Sequence, residues 1–72
     1  MAERIKVHGF YTDYEKGDIE GIRYLTEDLD YNEAKVFFEH AKNYGESQFE
    51  DDNDRQFTLT HKSGVYTLTR RN

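Results

Sequence analysis

Three histidines, His8, His40 and His61, are the side chains here best suited to hold a metal or move a proton near neutral pH. A zinc centre needs several ligands that converge, commonly from short fixed spacings of His and Cys. These histidines are scattered along the chain and cysteine is absent, so no metal site and no cofactor is expected. The run Glu50-Asp51-Asp52-Asn53-Asp54 supplies the oxygen donors that calcium prefers. An EF-hand loop opening at Asp52 would place glycine sixth and glutamate twelfth, but Phe57 and Ser63 stand there. The run reads as a solvated acidic loop. No cysteine is available as a nucleophile and no serine lies in a nucleophile-elbow motif. Adjacent carboxylates such as Glu27-Asp28 need a pocket before they can act as acid and base. The chain is expected not to be an enzyme.

What could position such residues is limited by size. Seventy-two residues make one domain, residues 1–72, with a small core. No disulfide or thiolate site can staple it, which fits a reducing compartment. Met1-Ala2-Glu3-Arg4 leads into an alternating segment, not an apolar signal-type one, and no run approaches a membrane span. A soluble cytoplasmic protein is expected. Charged residues make up 35% of the chain, but six Tyr and five Phe argue for a folded, aromatic-rich core. Charge is unevenly laid out. Residues 1–29 hold four basic against seven acidic side chains, residues 30–54 two against eight, and residues 55–72 four against none, for a net −5. The resulting field steers encounters, and the net charge disfavours general affinity for nucleic acid.

The clearest structural signal is C-terminal. Thr58-Leu59-Thr60 and Thr67-Leu68-Thr69 flank Ser63-Gly64, and a two-residue turn there sets Leu59 opposite Leu68 and His61 opposite Tyr66. One face then carries Phe57, Leu59, His61, Tyr66 and Leu68, and the other a ladder of threonines. Residues 4–12 and 21–27 also alternate, which predicts an N-terminal hairpin turning at Lys16-Gly17. Between the hairpins, Asp30 and Glu33 form a capping box with Leu29 and Ala34 as staple. Ala34, Phe37, Phe38, Ala41 and Tyr44 share one helical face, and Gly45 stops the helix. Residues 46–54 read as a polar linker.

The expected fold is therefore α+β: a four-stranded antiparallel sheet with one helix on one face, in the order ββαββ. The second sheet face meets water or a partner. On it, Phe10 and Leu25 rimmed by His8 and Arg23 would form a docking patch, with Glu50, Asp51, Asp52 and Asp54 steering the approach. The function this implies is non-catalytic binding of another protein, as an adaptor or inhibitor, with homodimerisation through the open sheet face or an edge strand as one version of it. A second reading is an acidic mimic of nucleic acid that blocks a DNA- or RNA-binding protein. A third is weak nucleic-acid binding by Arg55, Lys62, Arg70 and Arg71 of the basic C-terminal hairpin.

Overall fold

In the computed structural model, which describes residues 3–71, five strands form one mixed sheet. β1 (Glu3–Val7) and β2 (Phe10–Tyr14) are an N-terminal hairpin. β3 (Glu46–Glu50), β4 (Gln56–Lys62) and β5 (Val65–Arg70) are a C-terminal meander. The spatial order is β1-β2-β5-β4-β3. β2 runs parallel to β5, and the other neighbours are antiparallel. The connection from β2 to β3 carries two helical segments. A 3₁₀ turn at Lys16–Asp18 opens α1 (Ile19–Arg23), which widens into a π-helical turn at Tyr24–Asp28; α2 spans Tyr31–Tyr44.

The α+β class holds, and so does the C-terminal hairpin. Leu59 pairs with Leu68, Thr58 with Thr69, Thr60 with Thr67 and His61 with Tyr66. Ser63 and Gly64 both have positive φ, 52° and 82°, the conformation a two-residue hairpin turn requires. α2 also forms as its sequence signals. Asp30 accepts from the Glu33 amide at 2.8 Å while Glu33 accepts from the Asp30 amide at 3.1 Å. Gly45 ends the helix with φ 92°.

The N-terminal half differs from its expected form, because residues 21–27 are helical, not a strand. β1 turns back at His8-Gly9, where φ values of 50° and 93° repeat the turn at Ser63-Gly64. Val7 thereby closes on Phe10. The sheet gains a fifth strand because the expected linker at 46–50 pairs along β4, with Ser47 opposite Leu59 and Phe49 opposite Phe57. The helical layer consequently has two parts instead of one, and the order is not ββαββ.

The two parts of that layer meet the same sheet face. Val7, Leu25, Ala34, Phe38, Phe57, Leu59 and Leu68 are buried between them. Phe38 stacks on Phe10 with ring centroids 4.4 Å apart and meets Tyr66 edge-on at 4.9 Å. Phe49 joins Tyr24, Phe37 and Phe57 in a second aromatic cluster. His8 ties the layer to the hairpin. Its Nε2 lies 2.8 Å from the Leu25 carbonyl and 3.2 Å from the Leu29 carbonyl, and since carbonyls only accept, Nε2 carries the proton. The opposite sheet face stays open to solvent, with Lys6, Tyr11, Gln48, Thr67 and Thr69 exposed on it. None of the described helices is long and apolar enough to cross a membrane.

α1 can lie against the sheet because residue 21 has no side chain. A Cβ at Gly21 would come within 2.7 Å of Leu68 Cδ2 and 2.9 Å of Phe57 Cε1. Gly21→Ala should therefore destabilise the domain by about 1–3 kcal/mol through overpacking, despite alanine's better helix propensity. Chemical denaturation measures this, and a neutral or stabilising result would show that α1 has room to move outward.

Candidate functional site

Of the residues expected to bind a partner, the structure brings few together. Leu25 is fully buried under the helical layer, and Phe10 is half-buried in its stack on Phe38. Neither stands on the open face, because Leu25 belongs to a helical turn and Phe10 starts β2 on the covered side. His8 is occupied at the turn, and Arg23 points to solvent near Glu20, 3.7 Å away. The Phe10–Leu25 patch therefore does not exist as a surface.

The acidic run divides in the same way. Asp51 is buried and organises its own loop: one oxygen accepts from the amides of Asn53 and Arg55 at 2.9 Å each, and the other from the Arg55 guanidinium at 3.0 Å. Burial opposes its charge, but these hydrogen bonds outweigh burial and hold the carboxyl below its ordinary pKa. Asp52 is exposed nearby, and Asp54 makes the turn with φ 62°. Tyr24 reports the field there. Its pKa is raised first by burial and then by the charges of Asp52, Asp28, Asp51 and Glu33. Among the basic residues, Arg55 is engaged by Asp51 and Glu20, and Arg71 donates to the Phe57 carbonyl. Among the described residues, no three of His, Asp and Glu are grouped to hold a metal ion.

The site that emerges was not visible in the sequence. It lies where α2 overhangs β3, one of the two edges of the sheet. Two adjoining open depressions of about 540 and 200 Å³ run along this junction. α2 contributes Val36, Phe37, His40 and Tyr44, and β3 contributes Glu46, Ser47 and Gln48. Val36 and Tyr44 are 63% and 75% exposed, which is high for apolar side chains flanking a groove. The helical period explains the alignment, since positions 36, 37, 40 and 44 recur on neighbouring turns of one side of α2. The spacing that pointed Phe37 and Tyr44 at the core in fact straddles the core boundary. Ala34, Phe38 and Ala41 are buried, Phe37 partly, and Tyr44 not.

The β3 backbone gives the groove its character. Asp51 donates to the Arg55 carbonyl, and His61 donates to the Gly45 carbonyl. Antiparallel bonding alternates, so Gly45, Ser47, Phe49 and Asp51 turn their peptide groups toward β4. Glu46, Gln48 and Glu50 turn theirs outward. His40 donates through Nδ1 to the outward Glu46 carbonyl at 3.0 Å, which covers that end. Gln48 and Glu50 remain as outward donor–acceptor pairs, with Gln48 lining a groove of mixed polar and apolar character. An extended polypeptide can hydrogen-bond there as a sixth strand and lay alternate side chains into the groove. No protein family, characterised protein or solved structure matches this chain.

The Asp51 loop holds the end of this edge in place, and its contribution depends on pH. Asp51→Ala removes three hydrogen bonds from amide and guanidinium donors and should cost about 2 kcal/mol at neutral pH. With the folded pKa below the unfolded ~3.9, the stabilisation is fully present above that value and is lost as pH falls through the folded pKa. Urea denaturation of both proteins from pH 7 downward should show their stabilities converging in acid. A gap that stays constant would mean that the carboxylate charge contributes nothing.

Proposed function

We propose that this chain is a non-catalytic binding module that captures an extended segment of another protein by strand addition to β3. Carrying the reading is the outward-facing pair of peptide units at Gln48 and Glu50, beside a groove to which α2 contributes the exposed Val36 and the half-buried Phe37. Main-chain bonds supply affinity in such recognition, and alternate side chains supply selectivity. The charges define the ligand. On the solvent face of β3, Glu46, Gln48 and Glu50 alternate, so the added strand is favoured when it carries Lys or Arg on that side. On the other side, small aliphatic residues meet Phe37 and Val36. Asp28, Glu33 and Asp52, whose charges reach Tyr24 where it stacks on Phe49 of β3, speed the approach of a basic segment. Occupying an extended segment in this manner is how a small adaptor or inhibitor acts.

The open sheet face supports binding less well. On its β1–β2 side Arg4 is forked onto Asp13 at 2.6 and 3.1 Å and Lys6 lies over the Tyr11 ring at 5.4 Å. Much of the rest is threonine. Mimicry of nucleic acid is also weakened, because both Asp51 oxygens are committed to the loop.

A fluorescent peptide of alternating lysine and valine tests the module directly. Fluorescence anisotropy should show saturable binding that weakens with salt. Gln48→Pro, which deletes an outward N–H, and Val36→Glu, at an exposed position, should each reduce affinity at least about tenfold, a change of ~1.4 kcal/mol. Equal binding by the two variants and the wild type would sink the assignment of the site, and no binding at all would sink the mode.

A further inference from the structure

The two edges of this sheet complement each other. At β1, Val7 and Phe10 close a two-residue turn as a hydrogen-bonded pair. Alternation then directs the peptide groups of Arg4 and Lys6 outward, with their side chains on the solvent face. β3 presents Gln48 and Glu50 in the same way. We infer that β3 accepts β1 of a second copy, so that the protein associates head to tail into a continuous sheet. The self-pairing presupposes strand addition at β3 as the binding mode.

Charge and geometry select this pairing over its alternatives. Two β3 edges related by a two-fold axis at Gln48 would set Glu46 against Glu50 twice, and an axis at Phe49 would pair Gln48 with Glu50 but bring four glutamates together with no cation on either strand. Two β1 edges meeting at Ile5 would set Arg4 against Lys6. Like charges directly across a ladder destabilise it, and either β3 pairing lacks the opposite charges that β1 brings. β1 antiparallel to β3 instead places Lys6 of one copy opposite Gln48 of the next, and Arg4 opposite Glu50. That register uses the two β3 positions whose peptide groups His40 leaves open. The next register along would use the Glu46 carbonyl, which His40 already occupies.

The other face agrees. Residues paired across a sheet point to the same side, so Ile5 falls opposite Phe49 and Val7 opposite Ser47. Ile5 is 38% exposed at the β1 edge, on the helix-covered side. In the joined sheet it would be drawn toward Phe49 and Phe37 at the mouth of the groove. Each copy retains one free β1 and one free β3, so the contact is heterologous and extends past a dimer unless it closes into a ring. Two five-residue edges bury little area, so the association is weak and depends on concentration.

Sedimentation velocity over a concentration series tests this. The wild type should show a mass average that keeps rising beyond the dimer and falls with added salt. Lys6→Pro removes an outward N–H from the donor edge, and Gln48→Pro removes one from the acceptor edge. Each variant alone should remain monomeric, and an equimolar mixture should stop at the dimer, since only one productive edge pair survives. Circular dichroism and thermal melts establish that the variants fold. Lys6→Glu and Glu50→Lys keep every backbone group and should each suppress the mass increase. A wild type that stays monomeric throughout overturns self-pairing, as does assembly that persists in Gln48→Pro. The lysine–valine peptide added to Lys6→Pro, whose β3 is intact, reads the acceptor edge separately. If it binds while the wild type remains monomeric, strand addition stands and self-pairing falls. If it fails to bind and the wild type is also monomeric, both fall.

Discussion

The contact between Gly21 and the side chains of Leu68 and Phe57 sets the thickness of the molecule. With so few residues available, the covering layer must be short, and a short layer seals a five-stranded sheet only by lying directly on it. The 3₁₀, α and π turns from Lys16 to Asp28 form one compact stretch that follows the sheet. The helical layer then has enough length left for α2 to reach the far side, over β3 and β4. Because α1 takes up the area above β5, α2 is pushed toward the β3 edge, and its outer turns overhang the strand. The groove follows from how the cover is divided.

Aromatic packing makes that cover hold. Phe38 stacks on Phe10 and meets Tyr66, so α2, β2 and β5 share one cluster. Phe49 does the same for α1's continuation, α2 and β4. Offset and edge-on rings add roughly 0.5–1.5 kcal/mol per pair beyond their buried area. That gain matters in a domain without cysteine, where the core alone offsets chain entropy. The aromatics in the sequence are therefore mostly structural, and the surface left for partners lies at the boundary of the second cluster.

Some of this was readable from the residues and some was not, for physical reasons. The hairpin around Ser63-Gly64 has strict alternation on both strands and a turn whose type fixes the register. The capping box of α2 is local chemistry, which operates wherever the helix lies. Residues 19–29 mislead because two periods coexist there. Ile22, Tyr24 and Thr26 alternate like a strand, while Ile19, Ile22, Leu25 and Leu29 recur like a helix. Tertiary contact decides between them, since Leu25 and Ile22 are the residues the sheet needs to bury. A second signal was present at His8-Gly9, which follows the same pattern as Ser63-Gly64, a residue able to adopt positive φ followed by glycine. β3 was hidden for another reason. An edge strand with one half-covered face needs only Ser47 and Phe49 inward, and Glu46, Gln48 and Glu50 make the segment read as solvent-loving. The candidate site escaped notice with it, because its defining groups are main-chain atoms whose direction depends on pairing with β4.

The order of the strands has a consequence for how the molecule comes into being. β5, the last of the five to emerge during synthesis, occupies the middle of the sheet between β2 and β4. Until it arrives, the N-terminal hairpin has no neighbour and the half-built core exposes Phe38 and Leu59 to water. Folding must therefore wait for the closing segment and then join strands some fifty positions apart, from Thr12 to Tyr66. Such long-range closure slows folding relative to a helical bundle of the same size and leaves unsatisfied strand edges exposed for longer.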